Sequence, residues 1–345
     1  MTVKRKRIMI FQSLSQISKT IANLPTADME STDKALKRDA VLTKPAGALG
    51  RLEELAVWAS GWQQKHPPTF KQPQVAIFAG NHGVCAQGVS AFPSEVTVQM
   101  VANFDANGAA INQLADQYGA RFSVWPLELE TPTADFTLKP AMTEEELLTA
   151  VNIGWKAVEK NSDFLVIGEM GIGNTTVAAA ICTALFGGNG EDWAGPGTGI
   201  GSDGISRKAA AINSGLARHA DFLSEPLKVM QHLGGRELAA MIGATLAARY
   251  KSIPVILDGF VTCAAVAPLF KMNEKALDHC IVGHCSAEPG HVKLLQHLKQ
   301  KPLLNLSMRL GEGSGAAVAL GIVQSAIVTH TGMASFVEAG VSDQD

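Results

Sequence analysis

Five short apolar runs, each followed by a longer stretch with helical spacing, constrain this chain more than any other feature. Their residues are apolar at consecutive positions, whereas a strand with one solvated face alternates apolar and polar residues. Such runs are typical of strands buried on both faces, and strands that alternate with helices favour a parallel, doubly wound sheet. We therefore predict an α/β fold with a mostly parallel, Rossmann-like sheet. The runs lie at residues 75–79, 122–125, 164–167, 254–257 and 280–282.

Polar and glycine residues follow four of these runs at the point where each run ends. In open α/β sheets, ligands bind beyond the carboxyl ends of the strands. The four ends therefore predict one crevice that holds a binding site, with His82 and Asp258 as candidate members. The residues concerned are Gly80–Gly83 after the first run, Gly168 and Glu169 after the third, Asp258 and Gly259 after the fourth, and His284 and Ser286 after the fifth.

Two segments place a glutamate in a glycine-rich turn directly before small residues that are typical of a helix. Glu169 lies in the first, whose helix we expect to begin at Asn174, and Glu312 lies in the second. Glycine permits sharp turns and close approach of backbone to a ligand, and a helix start offers free N–H groups. Either glutamate could instead be a solvated acid favoured by the helix dipole. The repeated construction favours a site built from several loops, in which Glu312 suits a general base.

The composition is that of an ordinary globular protein and gives little support to a nucleic-acid-binding function. The chain has 345 residues, of which 46% are hydrophobic and 18% charged, and this length is a soft prior for two domains. A net charge of −3 gives no electrostatic drive toward nucleic acid. The basic cluster Lys4–Arg7 is expected to be a solvated terminus.

No targeting or membrane segment is expected. The apolar run at 8–11 is shorter than a secretory signal requires, and no run approaches the roughly 18 residues of a membrane helix. Five cysteines in a chain of this length do not form a disulfide framework. We expect a cytoplasmic protein that binds neither nucleic acid nor a membrane.

Two patterns leave other ligands to consider. The His-Cys pairs at 279–280 and 284–285 flank a short apolar run, but side chains alternate faces along a strand. The four side chains cannot converge, so we expect no metal site. Glycines within 199–204 match a dinucleotide-binding pattern, yet no strand precedes them, as that pattern requires. A helix expected over 208–219 keeps a phosphate or ribose loop open, and we expect no bound cofactor.

Six motifs occur in order from residue 42 to near the end of the chain. They are Leu42–Glu53, Phe78–Val84, Gly168–Thr176, Gly197–Gly199, Leu257–Phe260 and Met308–Gly315. Together they resemble the motifs of the nicotinate-nucleotide–dimethylbenzimidazole phosphoribosyltransferases, the CobT family. The resemblance implies transfer of phosphoribose from nicotinate mononucleotide to 5,6-dimethylbenzimidazole. The products would be nicotinate and α-ribazole 5′-phosphate, the nucleotide of the cobalamin lower ligand.

The resemblance also implies an architecture and an assembly. A small helical domain would draw on both chain ends, residues 1–70 and 311–345, beside a large α/β domain at residues 71–310. The resemblance implies that the protein forms a homodimer. Its other binding partners would be its small-molecule substrates, nicotinate mononucleotide and a benzimidazole.

The resemblance assigns chemical roles. Glu312 matches the catalytic base of the family, and Glu169 would orient the ribose, stabilise the cationic sugar or act as a second base. The phosphate dianion favours a helix start. Lys208 is a candidate cation for it, or else an ordinary surface lysine. The candidate phosphate residues are Gly171, Gly173, Asn174 and Thr175 in the first turn, and Gly313 and Ser314 in the second.

Phe92, Val96 and Met100 recur at the spacing of one helical stripe. Such a stripe is usually part of a core. The resemblance implies instead that this helix borders the benzimidazole, and an apolar wall suits a flat aromatic ring. Both interpretations stay open. His82 lies near this wall and could equally be a structural hydrogen-bonding residue.

Two positions depart from the pattern of the family. Asn81 stands where aspartate is usual, and Ala48 stands where serine is usual. Neither is the expected base, so the expected activity is unchanged. Two other functions stay open: a nucleotide-dependent oxidoreductase that uses the loop at 199–204, and a non-catalytic homologue that binds azoles or nucleotides.

Overall fold

The computed structural model describes residues 10–342, so the basic cluster at 4–7 lies outside the described part of the chain. The described residues form five strands and fifteen α-helices, numbered in chain order. The strands are β1 (Pro73–Ala79), β2 (Arg121–Pro126), β3 (Phe164–Met170), β4 (Val255–Leu257) and β5 (Cys280–Val282). The helices are α1 (Leu14–Ala22), α2 (Met29–Asp39), α3 (Arg51–Gln63), α4 (Glu95–Asp105), α5 (Ala110–Gln117), α6 (Glu144–Ala157), α7 (Asn174–Phe186), α8 (Gly190–Trp193), α9 (Ser202–Arg218), α10 (Pro226–Leu233), α11 (Arg236–Tyr250), α12 (Phe260–Met272), α13 (Pro289–His297), α14 (Ser314–Gly332) and α15 (Phe336–Ala339).

All five apolar runs predicted as strands are strands. They form one parallel sheet in the order β2-β1-β3-β4-β5, and the prediction of a doubly wound α/β fold is confirmed. The chain passes from β1 to β2 on one side and then to β3 on the other side. The strand order therefore reverses between β1 and β3. Ligands of doubly wound sheets bind at such a point, outside the carboxyl ends of the strands.

Side chains along the inner strands alternate between two hydrophobic clusters, one on each face of the sheet. In β1, Ala76 and Phe78 belong to the first cluster, and Val75 and Ile77 belong to the second. Helices α6, α7, α11 and α12 contribute to the first cluster, and α3, α5 and α14 contribute to the second. Because helices cover both faces, consecutive strand residues are buried, which explains the unbroken apolar runs.

Helix α14 corrects one expectation. By length and composition it could cross a membrane, contrary to the prediction that no run approaches that length. Its alanine, valine, isoleucine and leucine residues are interrupted by polar residues such as Ser325 and Thr329, so it does not form a continuous apolar run. Half of its most apolar stretch is buried inside the fold, and Ala316, Ala317 and Ala319 belong to the second cluster. The core helix of a globular protein has these same properties.

The two ends of the described chain meet. Helix α14 packs against α3, and the backbone N–H of Thr43 donates to the carbonyl of Ala334 at 3.1 Å. Helix α14 also contacts β3 and β4, so it covers the sheet as well as the N-terminal helices. The division into residues 1–70, 71–310 and 311–345 stays a prediction.

Helix boundaries near the site agree with the sequence in one case and differ in two. Helix α7 begins at Asn174, as predicted. Helix α9 begins at Ser202, six residues before the expected start, with Asp203 in a first turn that favours acids. Helix α4 begins at Glu95, so Phe92 precedes it.

Pro93 explains the late start of α4. Proline disfavours helical backbone at the residue before it. Phe92 therefore lies outside the helix, and the prediction of one helical stripe through Phe92, Val96 and Met100 is wrong.

Candidate active site

A crevice lies at the carboxyl ends of β3, β4 and β5, beside the point where the strand order reverses. Glu169 lies at the end of β3 and Gly171 follows it, Asp258 follows β4, and His284 and Ser286 follow β5. Three of the four strand ends singled out in the sequence therefore meet in one cavity. The other residues that line it are Met170, Ile172, Asn174, Thr175, Gly197, Thr198, Gly259, Phe260, Val261, Glu288, Arg309, Leu310 and Gly311.

The two acidic turns meet at the wall of this crevice. A Cβ atom added to Gly311 would lie only 2.5 Å from Oε1 of Glu169, so the second turn packs against the first carboxylate. The backbone of Glu312 lies equally close to β3, where a Cβ atom on Gly168 would meet its carbonyl at 2.7 Å. The amide of Asn174 donates to Oε2 of Glu169. The structure thus brings Glu169, Asn174 and Glu312 together.

The turn around Glu312 has an unusual backbone. Gly311, Glu312 and Gly313 have φ values of 81°, 63° and 78°, all in the left-handed region. Glycine adopts this region freely, but a residue with a Cβ atom does so at a cost. Glu312 is 5% exposed, and its Oε2 has no hydrogen-bond partner among residues 10–342. A buried carboxylate with a free oxygen, held in a strained turn, is typical of a functional site.

Burial and neighbouring acidic groups raise the pKa values of both glutamates above the ordinary value. Burial, followed by the charge of Asp258, raises the pKa of Glu312 to about 7. Burial, followed by the charges of Asp258, Glu237 and Glu312, raises the pKa of Glu169 to about 8. Both carboxyl groups therefore exchange protons near neutral pH, where a general acid or base is most effective.

Asp258 closes the start of α14. Its Oδ2 accepts from the N–H of Gly313 at 3.2 Å, and its Oδ1 accepts from the N–H of Ala316 at 2.9 Å. The hydroxyl of Ser314 donates to the carbonyl of Gly311 at 2.7 Å. A carboxylate of the protein already occupies this helix start, so a phosphate there would meet a like charge.

The start of α7 offers a better anion site. Its first residue follows Gly173, which has a φ of 91°, and Thr175 lies at the cavity wall. Lys208 is only 3% exposed, and its Nζ donates to Oγ1 of Thr175 at 2.9 Å and to the carbonyl of Gly195 at 3.0 Å. Burial lowers the pKa of this lysine. The interpretation of Lys208 as a surface lysine is therefore wrong, because its ammonium group lies beside the crevice.

His82 lies behind the crevice and does not line it. Its Nε2 pairs with Oε1 of Glu237 at 2.6 Å, and both side chains are fully buried. The pair packs against the backbone of Gly171, where an added Cβ atom would meet each partner at 3.1 Å. This environment supports the structural interpretation of His82 as a hydrogen-bonding residue that links the turn after β1 to α11.

The two residues that depart from the expected motifs have different environments. The amide of Asn81 donates to the carbonyl of Leu129 at 3.0 Å, so its side chain holds the loop after β2. Ala48 is exposed in the loop before α3 and does not line the crevice.

The proposed azole wall is not part of this cavity. Phe92 is 48% exposed, and Met100 packs against the second hydrophobic cluster. The apolar side chains at the cavity wall belong instead to Met170 and Ile172 at and after the end of β3, to Phe260 and Val261 at the start of α12, and to Leu310. The core interpretation therefore fits Met100 better than the wall interpretation.

Comparison with known proteins agrees with this architecture. A sequence profile of the family described as phosphoribosyltransferase matches residues 24–341. The chain is 55% identical over 332 residues to nicotinate-nucleotide–dimethylbenzimidazole phosphoribosyltransferase of Cereibacter sphaeroides, covering 96% of this chain and 98% of the relative. It is 56% identical over 331 residues to the protein of the same name from a Ruegeria species, with the same coverage.

This chain belongs to the nicotinate-nucleotide–dimethylbenzimidazole phosphoribosyltransferase family. Solved structures agree: a crystal structure of the Thermus thermophilus protein of that name superposes with a TM-score of 0.84 at 38% identity, over 92% of this chain and all of the other. A second structure from the same organism, described as CobT, gives 0.84 at 40% identity over 91% of this chain and all of the other.

Several residues of this family member lie at the site although no local pattern identified their contacts. Glu288 lines the crevice with one buried, unpartnered oxygen among the described residues, and Arg309 donates to the carbonyl of Gly197 at 3.2 Å. Thr97 accepts from the N–H of Ile172 at 3.1 Å and so holds the first acidic turn. Arg309 belongs to the same motif as Glu312, and that adjacency was the one available signal.

The two His-Cys pairs do not converge. His279 lies before β5 and bonds to the carbonyl of Thr245, whereas His284 lies after β5 beside Asp258, with Nε2 3.4 Å from Oδ1. Within residues 10–342, no three His, Cys, Asp or Glu side chains are grouped as a metal ion would need.

Proposed function

We propose that this protein transfers phosphoribose from nicotinate mononucleotide to 5,6-dimethylbenzimidazole or a related azole. The products are nicotinate and α-ribazole 5′-phosphate, which serves the lower ligand of cobalamin. The observation that carries the proposal is Glu312, a buried carboxylate with an unpartnered oxygen among the described residues and a pKa raised to about 7. It directly follows Gly311, which lines the strand-end crevice. The names of the relatives at 55% and 56% identity support the choice of substrates.

The proposed reaction requires a base, because the leaving group is already a cationic ring and needs no further activation. The bond between C1′ of the ribose and the pyridinium nitrogen breaks, and its electron pair neutralises the positive ring. A ring nitrogen of the azole forms the new bond to C1′, and the azole becomes cationic. The proton on its other nitrogen must then leave, and Glu312 accepts it. A positioned carboxylate of matched pKa provides this general-base catalysis.

The remaining polar groups would bind the donor. The phosphate dianion would lie at the start of α7, against Gly171, Gly173 and Thr175, because α14 is already closed by Asp258. Lys208 has three N–H donors, two of which bond to Thr175 and Gly195, so it can supply the third or its charge. Glu169 would orient the ribose or stabilise the cationic sugar. Gly313 and Ser314 are the weaker phosphate candidates.

A single assay tests the proposal. The protein is incubated with nicotinate mononucleotide and 5,6-dimethylbenzimidazole, and chromatography with mass detection follows nicotinate and the α-nucleotide. Both products should appear in equal amounts, and neither should form when the azole is omitted. Binding of both substrates without product would support a non-catalytic homologue. Hydride transfer with a dinucleotide would support the oxidoreductase alternative. The loop before α9 gives that alternative little support, because among the described residues it follows α8 and not a strand.

We also propose a cytoplasmic homodimer without a membrane partner. The burial of half of the apolar stretch in α14 supports the absence of a membrane span, and the family resemblance supports the dimer. The small domain would comprise residues 1–70 and 311–345, in keeping with the contact between α3 and α14. Analytical ultracentrifugation of the full chain tests the dimer directly.

A further inference from the structure

Asp258 lies at the crevice wall, but its carboxylate points into the protein backbone. It is almost fully buried at the end of β4. Its two oxygens accept from the N–H groups of Gly313 and Ala316, at 3.2 and 2.9 Å. Gly313 directly follows Glu312, so one side chain from a distant part of the chain fixes the residue next to the base.

The turn that carries Glu312 needs such support. A left-handed glutamate is unfavourable because its Cβ atom crowds the backbone, and such a residue persists only where its surroundings over-determine it. The backbone of Gly168 in β3 packs against one side of this turn, with no space for a Cβ atom. The hydrogen bonds that Asp258 accepts from Gly313 and Ala316 restrain its other side.

Resting on the proposed function, we infer that Asp258 is a positioning residue for Glu312 and not a ligand for substrate, because it fixes the strained turn through Gly313 and Ala316. Substrate would then contact Glu312 and the α7 start, while both oxygens of Asp258 stay bonded to protein. This role differs from the substrate-binding role that we predicted for Asp258 from its place at a strand end.

The charge of Asp258 gives the inference a distinctive readout. Groups near the base come from three strand ends: Glu169 at the end of β3, Asp258 after β4, and His284 after β5, next to Asp258. Arg309 precedes the turn and bonds to Gly197. After burial, the charge of Asp258 is the cause that raises the pKa of Glu312. Removing that charge should make Glu312 ionise at lower pH and become a weaker base.

The decisive experiment measures kcat and KM of Asp258→Asn against pH. Asparagine keeps the shape but loses the charge and one acceptor. We expect kcat to fall roughly ten- to hundredfold, as for a misplaced catalytic group, while KM for nicotinate mononucleotide changes little. The ascending limb of kcat/KM should move from about pH 7 to a pH lower by about one unit, the smaller end of the shift that a neighbouring charge causes.

Glu237→Gln is the matched control. Glu237 is equally buried and its charge raises the pKa of Glu169, but it is not a cause of the shift of Glu312. Its substitution should leave the ascending limb near that of the wild-type protein, whatever happens to the rate. A limb that does not move in Asp258→Asn, or a raised KM with unchanged kcat, overturns the inference.

A second variant covers the case in which Asp258→Asn does not fold. Asp258→Glu keeps the charge and displaces the carboxylate by one methylene, so kcat should fall while the limb stays near pH 7. Full kcat in this variant would contradict positioning. If the wild-type protein makes no α-nucleotide, the proposed function fails first, and that outcome is distinct from a failure of this inference.

Discussion

At the residue scale, Glu312 and Glu169 share one environment but differ in their freedom. Glu169 accepts a hydrogen bond from the amide of Asn174, whereas Oε2 of Glu312 has no partner in the described part of the chain. A base must have a free oxygen when substrate arrives, so Glu312 suits proton removal and Glu169 suits orientation. Both still depend on burial for a pKa near neutrality.

Replacing Glu312 with glutamine should abolish most of the activity. The amide keeps the shape but accepts no proton, so kcat should fall by roughly 10²–10⁴, the contribution of general-base catalysis. Nicotinate mononucleotide should still bind, as calorimetry would show. Glu54→Gln, on the exposed surface of α3, is the control. Nearly full activity in Glu312→Gln would remove Glu312 from the role of base.

The residues predicted from sequence and those missed differ in how far apart their partners lie along the chain. Glu169 and Glu312 were predicted because adjacent glycines and a following helix make a local pattern. The pairing of His82 with Glu237 spans 155 positions, and that of Gly313 with Asp258 spans 55. Folding creates such pairs, and no local spacing encodes them.

At the element scale, two helices begin in similar acidic, glycine-rich turns, but only the start of α7 has a lysine beside it among the residues described. The sequence predicted both helix starts and placed α7 ahead of α14 for the phosphate, yet it could not show that Asp258 closes α14. The prediction for α4 was wrong, because the helical stripe was extended through Pro93 to Phe92, which lies before the helix.

Gly173→Ala should weaken binding of nicotinate mononucleotide more than binding of the azole. Gly173 has a φ of 91°, and a Cβ atom there would meet Sγ of Cys85 at 2.6 Å, so the turn must shift. Gly187→Ala is a matched control at the other end of α7, with a φ of 82° and open space around it. Titration calorimetry of both variants separates backbone strain from damage to the site. Equal losses for both ligands in Gly173→Ala would leave the phosphate assignment unsupported.

The apolar surface at the site should favour 5,6-dimethylbenzimidazole over benzimidazole, and benzimidazole over adenine. Each missing methyl group should cost about 1–3 kcal/mol, and the polar groups of adenine would lose water without gaining partners. Competition assays with the three bases give the ranking.

Two alanine variants decide which wall contacts the azole. If Phe92 forms the wall, Phe92→Ala should flatten the ranking. Leu310→Ala is the comparison, because Leu310 lines the crevice and is similarly exposed. A ranking that flattens only in Leu310→Ala would place the azole against the turn of Glu312 instead. A preference of the native protein for adenine would contradict both.

At the scale of the whole molecule, the site lowers stability in a pH-dependent way. The folded protein raises the pKa of Glu312 from its ordinary value of 4.5 to about 7, so it holds a proton more tightly than the unfolded chain does. The free energy of unfolding must therefore fall as pH rises between these values. The glutamine of Glu312→Gln does not ionise, so the stability of this variant should not fall with pH for this reason.

Chemical denaturation at pH 4.5 and pH 8 measures this difference. At pH 8, Glu312→Gln should be more stable than the wild-type protein by about 3 kcal/mol, because the pKa rises from 4.5 to about 7 on folding. The gap should shrink toward pH 4.5. Glu54→Gln should show no such trend. A gap that is constant with pH would mean that Glu312 ionises normally in the folded protein.

The capped start of α14 has a consequence for how a nucleotide can enter. Within the described residues, the crevice is lined by the start of α7 and by the turn that precedes α14. Asp258 caps the start of α14, whereas Lys208 lies beside the start of α7. On the proposed function, we expect the anionic phosphate to be attracted to the end of the cavity at α7 and repelled from the end near Asp258. The cavity would therefore orient a nucleotide electrostatically, with its phosphate toward α7, before any bond is broken.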